Sequence, residues 1–465
     1  MDKKSIIGLA IIILIGVGTV AWVFLTAPEE EALVPFVIPE KEEIEAKLKM
    51  GVAYSTNKDS KEAIREAHTK MMAQLEEEKP IFVILTSTVG YDQEEVLAEA
   101  NRLLPGVKIY GYTSLLGIMT NDGFHIGEEV GEGYVLSLMG FSSEEMIFGV
   151  GACGLDEVAS SQEAGRVAIT RAIENAGKTK EDVPKVVLIS TSPFGIGEAF
   201  VLTGVESVLG KTVPLVGGGA AAGYGDLVSG GEVLFANDKV YPRGVVVAPI
   251  YTDLKIGHAF LSGFNPTGDK GIVTKFEMVG GEARIIELDN MPAAIVYNDW
   301  LDGAFEEYLG TSEMFLGKAV SYTLGEKIME TGGFINWKMI VLFHFNPDDS
   351  VTVGAPASEG TELHLLESDP DLFIKRPALT VRLARSRGEI TEEEIAGVVM
   401  DQCGGSLLGI PVGISGWNEM VSLIGPAAGN APFLGVSNLG PYGHFAGVGN
   451  RYGEVTASVL IFGKY

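Results

Sequence analysis

The chain has 465 residues, 46% of them hydrophobic, and carries a net charge of −28. That much apolar material fills a folded core of two or three units and excludes a disordered chain. So acidic a surface repels nucleic acid and anionic headgroups, which excludes both as partners of the folded part.

Residues 5–27 carry no charge. As a helix they span roughly 33 Å, enough for a hydrocarbon core of about 30 Å. Lys3 and Lys4 precede the run and Glu29, Glu30 and Glu31 follow it. The positive-inside rule then expects residues 1–4 as a cytoplasmic tip, 5–27 as a single-pass transmembrane anchor, and the rest outside the cytoplasm. A cleaved signal peptide is the rival reading, but the run exceeds an ordinary secretory core, and Pro28 would follow the cut. Residues 28–46, rich in Pro and Glu, are expected to be a spacer.

Beyond the spacer, Gly51–Asn57 reads as a strand. Asp59–Glu78 reads as an amphipathic helix, with Asp59 and Glu62 spaced as a capping box. A pattern of strand, small polar loop, helix, strand, glycine loop and strand then occurs three times. The first copy runs from Ile81–Leu85 through Thr86, Ser87 and Thr88 to Thr113 and Ser114. The second runs from Val186–Ile189 through Ser190, Thr191 and Ser192 to Gly217, Gly218 and Gly219. The third runs from Val398–Asp401 through Gln402, Cys403 and Gly404 to Gly435. Strands alternating with helices predict βαβ units. Between the second and third copies, Pro and Gly punctuate short strands as in an antiparallel sheet, and a boundary is expected near residue 280. The expected fold is α/β to α+β: mixed β-sheets covered by helices, built from repeated strand-helix-strand-strand units behind one transmembrane helix.

Ligands of mixed sheets settle at the carboxyl ends of strands. Small residues there let a ligand approach the backbone, whose free N–H groups can hold a carboxylate. The candidates are Thr86, Ser87, Thr113, Ser114, Ser190, Thr191, Gly217, Gly218, Gly219, Cys403, Gly404, Gly440 and Gly443. Ordinary turn chemistry serves the same residue types. Arg243 and Arg451, each ahead of a strand, are conceivable carboxylate clamps. The three glycines lack dinucleotide-fingerprint spacing, and the six His show no metal-ligand spacing, so no cofactor or metal is expected. Cys153 and Cys403 make no disulfide framework; one bridge and two buried thiols both stay open. Cys403 with His444 or His344 as base is the enzymatic alternative, an extracytoplasmic cysteine-dependent hydrolase.

Over nearly the whole stretch beyond the spacer the chain resembles the FIST family of paired FIST N and FIST C domains. Gly51–Asn57, Thr86-Ser87-Thr88, Leu104–Gly111 and Tyr112-Thr113-Ser114 are similar to the FIST N opening. Gly263–Gly268, Ile286–Asp289 and Met291–Ala293 resemble the join, and Phe315-Leu316-Gly317 the entry to the C-terminal half. Cys403-Gly404, Phe433–Gly435, Gly440–Gly443 and Thr456–Ser458 are similar to its close. The resemblance implies a FIST N-like domain over 47–280 and a FIST C-like domain over 281–465. It also implies a sensory role, with a small-molecule ligand such as an amino acid and a signalling partner, here expected in the membrane. Gly117 and Pro441 stand where family members tend to carry an acid, which implies a different ligand or mode of reading it.

Overall fold

The computed structural model describes residues 45–126, 133–192, 197–222, 231–280, 282–410 and 413–465. The expected span over 5–27, the tip ahead of it and the spacer up to residue 44 lie outside the described residues. Among the described residues no helix is long and apolar enough to cross a membrane. Residues 46–465 make one compact unit.

That unit repeats one arrangement three times. The first repeat comprises strand Lys49–Ser55, helix Ser60–Gln74, strand Phe82–Ser87, helix Gln93–Leu103, and strands Lys108–Thr113 and Leu136–Ser142. The second comprises strand Gly151–Gly154, helix Ser161–Asn175, strand Val186–Thr191, helix Glu198–Leu209, and strands Leu215–Gly219 and Gly244–Thr252. The third comprises strand Ile256–Ser262, helix Pro370–Arg387, strand Ile395–Cys403, helix Ile414–Ala427, and strands Phe433–Phe445 and Thr456–Gly463. In space each repeat reads opening, closing, central, third strand, and only the central and third strands run parallel. The expected strand-helix-strand-strand pattern is the rear of each repeat; a strand and a helix precede it. Those leading helices start alike, because a side-chain oxygen of Asp59, Ser160 or Asp369 accepts the N–H of Glu62, Glu163 or Leu372 at 2.9, 3.2 and 2.8 Å. Such caps satisfy donors that the first turn leaves free.

Alternation along the strands builds the layers, since successive side chains face opposite sides of a sheet. Phe82, Ile84, Val186, Leu188, Val399 and Val436 meet in one core shared by all three repeats. The residues between them face outward under the helices: Val83 and Leu85 in the first repeat, Val187 and Ile189 in the second, Val398 and Met400 in the third. The register pairs Leu85 with Gly111, Ile189 with Gly217 and Met400 with Gly435. At Gly111 and Gly217 a Cβ would overlap the carbonyl oxygen of Leu85 or Ile189 on the adjacent strand, so the close approach demands glycine there.

The third strands also hand on to one another in a cycle. Leu115 N donates to Ser437 O at 2.8 Å, and Ala221 N to Thr113 O at 2.8 Å. Gly219 lies opposite Leu439 in the antiparallel pairing that closes the ring. The register makes Leu115, Ala221 and Leu439 equivalent positions, so the repeats are joined by the same kind of contact three times over. The two ends of the ring meet as well: Lys47 N donates to Lys464 O at 2.8 Å.

One antiparallel sheet interrupts the third repeat between its opening strand and its helix. It runs from Asn265–Val279 to Glu362–Glu367 and buries a core of its own around Tyr297, Phe305 and Phe345. Asn265 pairs with Glu367, so the insertion enters and leaves at one place. The boundary expected near residue 280 falls between Asn265–Val279 and Glu282–Leu288, two paired strands of this sheet.

Candidate functional site

The register brings Thr86, Ser190 and Asp401 to one equivalent position, facing the shared core at the carboxyl ends of the central strands. Thr86 Oγ1 pairs with Ser137 Oγ at 2.7 Å, and Ser190 Oγ donates to Gly218 O at 2.6 Å. Asp401 accepts from the Tyr112 hydroxyl of the first repeat and, at 2.8 Å, from Asn438 Nδ2 of its own. The second repeat closes over them with Gly218, where a Cβ would overlap Asn438 Nδ2 and stand 2.9 Å from Asp401 Oδ1. All three repeats therefore meet at a buried polar cluster. Burial pushes the Asp401 carboxyl up to about 7, against the opposing hydrogen bonds from Tyr112 and Asn438.

One step along, the side chains face the helices instead. Ser87 Oγ donates to Gln93 Oε1 at 2.7 Å, and Thr191 Oγ1 pairs with the Tyr442 hydroxyl at 2.8 Å. Thr113 Oγ1 accepts the Val233 N–H at 3.1 Å. Ser114 Oγ is buried with no partner among the described residues. The glycines expected in loops lie in strands: Gly217, Gly218 and Gly219 in Leu215–Gly219, Gly440 and Gly443 in Phe433–Phe445. Their lack of a side chain serves packing, since a Cβ would overlap Leu439 O at Gly219, the Tyr452 ring at Gly440 and the Phe260 ring at Gly443. Gly404 begins a short helix against the Leu115 side chain. Arg243 is exposed, and Arg451 donates to Asn450 O at 2.7 Å.

The candidates with open space beside them are Cys403 and Gly440. They line a cavity of about 60 Å³ between the third repeat and the inserted sheet. Leu115 reaches it from the first repeat, and Leu316, Val320, Val341 and Phe343 wall it from the insertion. Tyr452 and Glu454 complete it. Glu454 Oε2 accepts the Val341 N–H at 2.9 Å, while Oε1 takes no hydrogen bond among the described residues. Burial, helped by the like charge of Glu198, pushes its carboxyl up to about 8; the Val341 N–H and Lys338 oppose this. Burial likewise raises the Cys403 thiol, while the N–H groups of Gly440, Gly405 and Val455 pull the other way. Neither thiol is in a disulfide: Cys153 sits in the second repeat's outer core, and both sulfurs are buried. His444 is turned elsewhere, with Nδ1 at 2.9 Å from Asn450 Oδ1 and its ring against His258.

A larger groove of about 760 Å³ runs between helices Ser60–Gln74 and Ile414–Ala427. Part of its polar lining is engaged within the fold: Gln74 bonds Val52 N and O at 2.9 and 2.7 Å, and Asn121 bonds Ala431 O and Phe433 N at 3.0 Å each. The 60 Å³ cavity is the stronger candidate despite its size, because two of the expected residues, Cys403 and Gly440, line it.

Sequence reasoning missed Asp401, Tyr112 as its partner, and Glu454. Asp401 ends an apolar run and reads as part of the strand, whereas its true equivalents Thr86 and Ser190 read as the first residue after it. Its signal was available, as an acid inside a strand with apolar neighbours. Glu454 offered no such signal, because the insertion that buries it comes about a hundred residues earlier in the chain.

Residues 81–291 match the FIST N domain. No curated protein matches the chain in sequence. Among solved structures the chain is similar to a cyanuric acid hydrolase described as an evolutionary innovation by structural concatenation. Identity is 9%, coverage 90% of this chain and 100% of that one, and the TM-score 0.37. It is also similar to the cyanuric acid hydrolase of A. caulinodans, at 8% identity, 89% and 99% coverage, and a TM-score of 0.33.

Proposed function

We propose that this chain, with its FIST N domain, is a membrane-anchored, extracytoplasmic sensory module that binds a small metabolite such as an amino acid. Residues 281–465 act as the FIST C-like half. The carrying observation is the cavity where Cys403, Gly440 and Glu454 meet under an apolar wall, with one Glu454 carboxyl oxygen that takes no hydrogen bond among the described residues. Small-ligand sites are concave and mostly apolar, with a few placed polar groups. The cavity lies between a repeat and the insertion, so a ligand that tightens this seam biases one arrangement over another. The charge-free run over 5–27 and its flanking charges support the anchor and the external location.

The hydrolase reading is disfavoured by chemistry. A nucleophilic cysteine needs thiolate character and an adjacent base. Here burial raises the thiol, and His444 is engaged with Asn450.

A thermal-shift screen of the protein against amino acids and other small metabolites tests the binding reading. A ligand at 100 times its Kd stabilises by about 2.7 kcal/mol. Reactivity of Cys403 towards thiol reagents in the native state, with turnover lost in Cys403→Ser, would favour the enzyme instead. Extraction of the full chain into the membrane fraction, with protease access from outside intact cells, tests the anchor and its orientation.

A further inference from the structure

We propose that Glu454 Oε1 is the anchor for the ammonium group of a small primary amine entering the cavity between the third repeat and the inserted sheet. The inference rests on the binding reading above and names the chemical class of its ligand.

Three observations carry it. Glu454 is buried, only 7% exposed, and is one of the residues that line the cavity. One of its oxygens is held by the Val341 N–H, which fixes the group's direction, and the other has no partner among the described residues. The rest of the lining is apolar apart from the Cys403 thiol and the Tyr452 phenol. An acceptor in such a setting is costly to leave unpaired, and a charged donor is the partner that gains most from it.

Volume narrows the ligand further. At about 30 Å³ per water-sized group, 60 Å³ takes roughly two heavy atoms. An ammonium nitrogen with its first carbon fills that space, and a longer body would have to project out of it. Lys338 is the cation that could compete. Its Nζ is instead spent on Pro356 O at 2.9 Å and on Glu326 at 3.5 Å. Glu198 adds negative charge on the side of the second repeat, which favours a cation in the cavity.

The proton balance supplies a signature. With its carboxyl pushed up to about 8 by burial, Glu454 carries a proton at pH 7 before an amine docks. An alkylammonium that docks against it forms an ion pair, and the carboxyl proton leaves to solvent. Calorimetry of the full chain at pH 7, in two buffers of different ionisation heat, reads this directly. Methylamine and ethylamine are expected to bind with close to one proton released, whereas acetamide and acetate are not. Glu454→Gln is expected to weaken the amines at least tenfold. Because the release of a proton is read on the wild-type chain, the test stands even if that variant folds poorly. Amine binding without proton release, or binding unchanged in Glu454→Gln, overturns the assignment. Binding of some other small metabolite with no response to amines overturns the assignment and leaves the sensory reading standing. No ligand from any class sinks both.

Discussion

At the scale of single residues, the polar cluster at the meeting of the repeats sets a measurable pH dependence. Asp401 is raised in the folded chain to about 7. The folded state therefore holds a proton that the unfolded chain releases near pH 4. Stability from this group is complete below pH 4 and is lost as the pH climbs towards 7. Asp401→Asn keeps the shape of the protonated acid and removes the titration. The variant is expected to gain about 2–4 kcal/mol relative to wild type between pH 5 and pH 8, read as a change in denaturation midpoint at the two values. An identical pH profile for the two proteins would show that Asp401 is ionised in the fold. Glu99 works in the opposite sense: its contacts with Arg102 and Arg65 hold it down to about 2, so its contribution is lost only as the pH falls below 4. These two groups place the best stability from them at mildly acid pH.

At the scale of elements, much of the architecture was legible. The helix from Asp59 and the strand ends at Thr86 and Ser190 follow from periodicity and capping, and the chain obeys both locally. The glycines misled, because a glycine in a strand and a glycine in a loop look alike in one dimension. What distinguishes Gly217 and Gly440 is the carbonyl or ring pressed against them, contributed from another part of the chain. The opening strand of the second repeat, Gly151–Gly154, was illegible for the same reason. A Cβ at Gly151 would overlap the backbone of Ala172 and Ala168, so strand-forming side chains are excluded just where a strand forms. The insertion is the separable element, since its ends are paired through Asn265 and Glu367. Replacing residues 265–367 by a two-residue glycine linker should leave the three repeats folded, with a cooperative transition and a far-ultraviolet dichroism that is more helical per remaining residue, since the long helices all lie in the repeats. The thermal midpoint should fall, because Trp337, Met339 and Val341 no longer cover the third repeat's outer core. Ligand binding should vanish, because the wall formed by Val341 and Phe343 goes with them. Retained binding in the excised chain would move the site elsewhere.

At the scale of the whole molecule, the three repeats share one core and the same cyclic strand contacts, so none of them is built to stand alone. The sequence showed the repetition but not the closure. Pattern repeats along a line, whereas the bonds from Leu115 to Ser437 and from Ala221 to Thr113 depend on how three sheets turn around one axis. A chain rearranged to begin at Ile256, with Tyr465 linked to Ala46 and new ends opened after Thr252, should fold and unfold at a similar denaturant midpoint. Failure of that chain to fold would mean that the first repeat must form before the others.

The hydrogen bond from Lys47 to Lys464 carries this further. Since head and tail are already clasped, the numbering of the repeats is a convention of synthesis and not of architecture. A cargo fused behind Tyr465 would be held beside the place where the chain enters the ring, at the root of any tether that precedes it.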